Sequence, residues 1–406
     1  MIQRLTLRNF RGIRNAQLEL APITILTGAN NAGKSTVMYA LVTAKNVISN
    51  PNQPLDSFFN LGFLNLGGFK PAVFMKDESS EIHFGIHSGD PEKQFSGQYD
   101  INLAKRGGTL QLALDTPLTL RASLEVTFPY ALAGAVSATF EYKGRSYQLS
   151  WNGLAPNVAP ADGQPDETVK EVSALLTLPV EEVRRVDIVP LRRGFTKPVY
   201  AAAPVTAQLL TEDEIATILS SDSDLLGRVD HALEAILNRN LVVFTPPSTA
   251  TSFLQTRNRE TGMTTELVNE GFGTNQLVFL LAKIHRDGTE VVCIEEPEIH
   301  LHPSAIARFV EHLVNTVKEP LPILRKHFVI STHSEHLVTF LLGLVAKGQV
   351  QPEDVAIYYV SRQRYETDFE RCEVSPKGQV KGGLRGFYEA ELEAVKNLLQ
   401  IPESPA

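Results

Sequence analysis

The chain has 406 residues, 43% of them hydrophobic, with 38 Lys+Arg against 46 Asp+Glu and a formal charge of −8. This length suggests two or three domain-sized units with ample core, and near-average Gly and Pro contents exclude collagen-like and low-complexity chains. The acidic balance argues against coating nucleic acid by charge alone, and two distant cysteines, Cys293 and Cys372, argue against a disulfide framework or a zinc site.

Residues 1–20 read as two short strands, MIQRLTLRNF and RNAQLEL, joined by a turn at Gly12. They contain no apolar signal core. Residues 23–27 form a β-branched strand running into GANNAGKST, followed by a helical stretch over 37–47. Residues 50–76, with Gly62, Gly67, Gly68 and three prolines, read as irregular surface structure. Short alternating runs over 81–151 predict an antiparallel meander, and the turn-rich 152–166 a loop or boundary. Helical spacing marks 168–178 and 212–238, interrupted at 220–224, with VDIVPLRRGF between them. Residues 266–284 read as a loop entering a helix, 291–294 as an apolar strand, 304–317 as a helix and 327–330 as another apolar strand. Such β-branched runs alternating with helices are what a buried parallel sheet requires. The longest apolar stretch, 337–346, is shorter than the roughly 18–20 residues that cross a bilayer, so a cytoplasmic setting without a membrane partner is expected.

Three sites carry chemistry. Gly28-Ala-Asn30-Asn31-Ala32-Gly33-Lys34-Ser35-Thr36 fits GxxxxGK[ST] between a strand and a helix. Its glycines let the backbone curl so that N–H groups face β- and γ-phosphate oxygens, and the following helix N-terminus adds positive potential. Lys34 supplies a full charge, Ser35 offers its hydroxyl to Mg²⁺, and Thr36 supports the helix start. Glu295 and Glu296 follow the strand at 291–294, where such sheets bring ligands to strand C-termini. Glu295 would hold Mg²⁺ through its water shell, and Glu296 would orient or deprotonate the attacking water. His333 follows the next strand in STHS, which suggests a place near the γ-phosphate. His300 and His302, two apart before Pro303, read as loop and packing residues rather than metal ligands.

Together LRNFRGI, TGANNAGKST, GFGTNQ, IEEPEIHLHP and STHS resemble, in that order, the ABC-type ATPase heads of the RecF/SMC/OLD group. The last two motifs are especially similar to OLD-type and PtuA-like ATPases of bacterial defence systems. The resemblance covers 1–40 and 269–342 and leaves the middle unmatched. It implies an α/β P-loop NTPase head with a mostly parallel core sheet, an antiparallel β subdomain and a helical insertion. The expected division is a discontinuous core over 1–80 and 240–388, a β subdomain over 81–153, a mixed or helical insertion over 168–239, and a C-terminal helix and tail over 389–406.

By the same resemblance, Gly271, Gly273 and Gln276 occupy the signature-loop position, which in the family reaches the γ-phosphate of a second protomer. GFGTNQ departs from LSGGQ, and Asn269, Thr274 or backbone N–H groups would replace the serine. Arg11 lies in the motif whose arginine contacts phosphate in the family, and Arg192 and Arg193 of VPLRRGF are the candidate DNA- or partner-facing basic spot. The resemblance implies ATP and Mg²⁺ as ligands, a homodimer or higher oligomer, and a separately encoded effector such as a nuclease or toxin, with double-stranded DNA as a further candidate partner. OLD proteins carry a TOPRIM nuclease after the ATPase; the 64 residues after Leu342 are too few for that module plus the remaining strands, so no nuclease in cis is expected. A RecF-like, ATP-gated DNA clamp is the alternative.

Overall fold

The computed structural model describes all residues except 91–93, 131–133, 206–209, 248, 322–323 and 384–406, so the expected C-terminal helix and tail at 389–406 lie outside the described residues. In chain order, β1 (Ile2–Phe10), β2 (Ile13–Glu19) and β3 (Ile23–Thr27) lead into α1 (Lys34–Ser49) and, after an irregular segment, α2 (Phe69–Ala72). Strands follow as β4 (Ile82–Asp90), β5 (Phe95–Ala104), β6 (Gly107–Thr116), β7 (Leu120–Val126), β8 (Val136–Tyr142), β9 (Arg145–Trp151) and β10 (Pro156–Pro160). Next come α3 (Thr168–Arg184), β11 (Val186–Val189), β12 (Tyr200–Ala201), α4 (Glu212–Ser221), α5 (Ser223–Leu237), β13 (Arg239–Phe244), β14 (Thr251–Asn258) and β15 (Thr264–Glu266). The last part contains α6 (Phe272–His285), β16 (Val291–Glu295), α7 (Pro303–Val317), β17 (His327–Thr332), α8 (Glu335–Ala346), β18 (Val355–Gln363) and β19 (Glu366–Cys372).

The core sheet has the order β11-β16-β17-β3-β18-β19. Its pairs are parallel except at the β18–β19 edge. Every residue of β3, β11 and β16 is buried, as a parallel sheet covered on both faces demands. Alternate residues enter two separate cores. Leu26, Cys293 and Val329 face α1 and the antiparallel layer, whereas Ile25, Ile294 and Ile330 face α5 to α8. The register sets Glu295 opposite Ser331, and Ser331 opposite Leu26. The C-terminal ends of β16, β17 and β3 therefore finish level, which brings the three loops that leave them together.

A second, antiparallel sheet runs β2-β1-β4-β5-β6-β7. It corrects the expected boundary at 80/81: β1 pairs with β4, Leu5 opposite Ile86, so the N-terminal hairpin belongs to the β layer. Local patterning shows that β1 is a strand and leaves its second neighbour unnamed. Likewise, 168–239 is no separate insertion. The wholly buried VDIV of β11 joins the core sheet beside β16, and α5 packs on α6 and α7. The segment read as a loop at 152–166 contains β10, an edge strand whose prolines stand at its ends, where no ladder hydrogen bond is lost. Residues 50–76 are irregular but not superficial, since Phe58, Phe59 and Phe69 are buried. Among the described residues, no helix is long and apolar enough to cross a membrane.

Candidate nucleotide and metal site

The loop between β3 and α1 is built by left-handed backbone: φ is +140° at Gly28, +61° at Asn31 and +106° at Gly33. A Cβ on Gly28 would lie 2.1 Å from the Val360 carbonyl oxygen, and one on Gly33 would lie 2.6 Å from Thr367 Oγ1. The β18–β19 hairpin thus clamps the loop from outside, a contact with no signal in the motif. Gly33 is the N-cap of α1 and supplies no side-chain cap, which leaves the first N–H groups of the helix for an anion. Asn30 and Asn31 are exposed, Ala32 is buried beneath them, and Thr36 is buried with its amide bonded to the Gly33 carbonyl at 3.0 Å.

Lys34 is 6% exposed. Its Nζ donates to the carbonyls of Gly28 at 2.9 Å and Ala29 at 3.0 Å, and to His333 Nε2 at 2.9 Å. Burial pulls its pKa down, opposed by the charges of Glu296 and Glu298. His333 Nε2 is also 3.3 Å from Glu296 Oε1. While Lys34 donates to it, that nitrogen carries no proton; once Lys34 turns to another anion, Nε2–H can donate to Glu296. Burial, then Lys34, holds the His333 pKa below its ordinary value.

Glu295 ends β16 with both carboxylate oxygens held, Oε1 by the Tyr39 hydroxyl at 2.7 Å and Oε2 by the Leu191 amide at 3.0 Å. The Arg11 guanidinium lies 5.7 Å from the Tyr39 ring centroid. Glu296 sits in the left-handed region at φ +42°, its amide donating to the Ser331 carbonyl at 2.8 Å. Arg193 fixes this turn by donating to the carbonyls of Pro190, Glu295 and Glu296 at 3.2, 2.6 and 2.8 Å. Burial lowers its pKa to about 10, so it stays charged at neutral pH. The expectation of Arg193 as an outward basic spot is thereby corrected, and only its neighbour Arg192 is exposed. Glu298 accepts from Thr332 Oγ1, the His333 amide and the Ser334 amide at 2.6, 3.1 and 3.1 Å, and so holds the His333 loop. Burial pushes its pKa up.

The structure therefore gathers Arg11, Lys34, Ser35, Glu295, Glu296 and His333 at one sheet end. Beside them Arg11, Asn31, Gly33, Thr36, Arg362 and Tyr365 line a cavity of about 640 Å³. Gly271, Gly273 and Gln276 stand elsewhere, around the start of α6. A Cβ on Gly273 would meet the His300 carbonyl oxygen at 2.4 Å, and Gln276 lines a second cavity with Arg193 and His300. Gly271 has φ −58° and open space where a Cβ would stand, so the fold does not require glycine there. Asn275, which carries no motif signal, locks α6 to the 190–196 loop by accepting from the Phe195 amide at 2.7 Å and donating to the carbonyls of Phe195 and Leu267. His302 caps α7 and His300 stacks on Phe272, so both serve loop structure.

Hard oxygen donors suit Mg²⁺, and the Ser35 hydroxyl with the buried Glu295 carboxylate, the latter held by the Tyr39 phenol, fit that ion. The left-handed loop, its uncapped helix end and Lys34 fit a polyphosphate.

A parallel sheet with its glycine loop, lysine and two strand-end carboxylates in this register is the P-loop NTPase fold. The family described as "AAA ATPase domain" matches residues 1–94, and the family described as "AAA domain, putative AbiEii toxin, Type IV TA system" matches residues 178–339. No curated protein matches the chain. Among solved structures it is similar to the SMC head domain from Thermotoga maritima, with 11% identity, 92% of this chain and 99% of that one covered, and a TM-score of 0.43. It is also similar to the Pyrococcus furiosus Smc head domain with an extended coiled coil bound to the C-terminal domain of ScpA, with 10% identity, coverage of 98% and 99%, and a TM-score of 0.46.

Proposed function

We propose that the chain is an ABC-type ATPase that binds and hydrolyses ATP, pairs head to tail with a second copy when ATP is bound, and controls a separately encoded effector in antiphage defence. The observation that carries the ATPase reading is the meeting of Lys34, His333 and Glu296 through contacts of 2.9 and 3.3 Å, on the strand ends that also present Ser35 and Glu295. Loop amides from 28–36 and Lys34 grip the β- and γ-phosphates, and Arg11 approaches from the bordering cavity. Mg²⁺, when bound, supplies charge neutralisation between those phosphates. Glu296 orients and deprotonates the attacking water, and His333, released by Lys34, donates toward the terminal phosphate or Glu296.

Several features support a second copy as the partner for the α6 start. Phe272 is 73% exposed and Leu191 43% exposed, and Gly271 is free of any conformational demand. In that arrangement Gly271, Gly273 and Gln276 of one copy close the nucleotide site of the other, and γ-phosphate shared across the interface supplies the differential affinity that favours association. The AbiEii toxin in the description of the family matching 178–339 supports a defence role.

The test is ATP turnover with and without double-stranded DNA, with particle mass recorded alongside. Glu296→Gln should retain ATP and accumulate dimers, whereas Lys34→Ala should lose nucleotide. Equal monomer fractions for the two variants under ATP would overturn the pairing.

A further inference from the structure

Tyr39 lies one helical turn after Ser35 in α1, so the two side chains share a face and point at the same strand end. The positions around it, Val37, Met38, Ala40, Leu41 and Val42, are fully buried and pack the core. Tyr39 is only half-buried, and its ring is placed from several directions. Phe63 lies 5.9 Å away at 53°, and Arg11 rides on the ring at 5.7 Å. Its hydroxyl donates to Glu295 Oε1 at 2.7 Å. With Leu191 N–H on Oε2, the phenol completes the set of donors that aim Glu295. Core packing alone would be met by phenylalanine or leucine; only a hydroxyl here meets the Glu295 carboxylate.

We propose that Tyr39 is a positioning residue that holds the Glu295 carboxylate where a divalent cation beside Ser35 needs it, and that its ring is the platform for Arg11. This rests on the nucleotide reading above. The two ends of the side chain do separable work, the hydroxyl on Glu295 and the ring on Arg11. Outer donors of this kind typically change metal affinity by about 10- to 100-fold when removed.

The experiment measures binding, not turnover. A fluorescent ATP analogue is titrated by anisotropy against the full chain, once in EDTA and once across a Mg²⁺ series, for the unaltered chain, Tyr39→Phe, Tyr39→Leu, Arg11→Ala and Glu295→Gln. Tyr39→Phe should raise the Mg²⁺ concentration for half-maximal enhancement about tenfold and leave the EDTA affinity within about twofold, because the platform survives. Tyr39→Leu should show the same metal defect and also weaken EDTA binding as far as Arg11→Ala does. Adding Tyr39→Phe to Glu295→Gln should change the Mg²⁺ dependence little further, since both act through one carboxylate. An unchanged Mg²⁺ half-point in a Tyr39→Phe protein that melts cooperatively overturns the Tyr39 proposal alone, and so does a full additional defect on the Glu295→Gln background. Absence of analogue binding by the unaltered chain in both arms overturns the nucleotide reading and this inference with it.

Discussion

Arg193 offers the most demanding test of how the acidic strand end is held. Its guanidinium donates to three carbonyls, two of them on the consecutive residues Glu295 and Glu296. Hydrogen bonds from a charged donor contribute about 1.5–3 kcal/mol each, so the gross gain is roughly 5–9 kcal/mol. Against it stands desolvation: a pKa lowered from 12.5 to about 10 corresponds to roughly 3 kcal/mol lost to burying the charge. Arg193→Ala should therefore lower unfolding free energy by about 2–6 kcal/mol, read from urea transitions. The sharper consequence is catalytic. Glu296 is kept at φ +42° by this anchor and by its own amide bond to Ser331, so the variant should let the carboxylate wander by an ångström or so. Misplacement on that scale costs on the order of a hundredfold in turnover. Nucleotide affinity should stay within a few-fold, since the bonds of Arg193 go to the turns at Pro190 and Glu295–Glu296 and not to the loop around Lys34. Arg193→Lys should recover little, because one ammonium cannot span carbonyls that the planar fork serves together. Stability within 1 kcal/mol of the unaltered chain with full turnover would refute the argument, and so would a variant that loses affinity more than rate.

Further tests concern single positions. Gly28→Ala should abolish nucleotide binding and lower the melting temperature, because its Cβ would press to 2.1 Å from the Val360 carbonyl oxygen at φ +140°; calorimetry that finds an unchanged transition refutes the clamp. Gly271→Ala, at φ −58° with open space, should leave stability within about 0.5 kcal/mol while reducing ATP-dependent pairing; a destabilised monomer would contradict it. Glu298→Ala should release His333 and cut turnover while ATP affinity holds, since Thr332 Oγ1 and the His333 and Ser334 amides all donate to that carboxylate. His285, His312 and His327 have pKa values lowered by burial to about 3, 4 and 4 from an ordinary 6.5. They stay neutral in the fold while the unfolded chain takes up protons, so stability is full above about pH 6.5 and falls toward pH 4, by at most about 1.4 kcal/mol per ring per pH unit; equal urea midpoints at pH 7 and pH 5 would refute the assignment.

The features that could be read from the sequence divide from the rest along a physical line. The glycine loop is legible because left-handed φ at Gly28 and Gly33 forces residue type locally, and the acidic pair because an apolar run stops at it. The β11 strand is only four residues long, and β1 gives no sign of β4, its partner more than seventy residues on. Register is a property of the assembled sheet, so neither could be placed by periodicity. The same holds for the residues that aim the site. Tyr39 reads as one more apolar position of a helix, Arg193 as a surface charge, and Glu298 as a loop acid. Each acquires its role from an acceptor or donor supplied by another element: Glu295 for Tyr39, the Glu295 and Glu296 carbonyls for Arg193, Thr332 and the amides after it for Glu298. Groups that touch a ligand must be of a certain chemistry, and motifs preserve that demand in short spacing. Groups that orient them need only a side chain of the right length arriving from anywhere. The first kind can be found by pattern, whereas the second requires the level strand ends of β16, β17 and β3 to be known first.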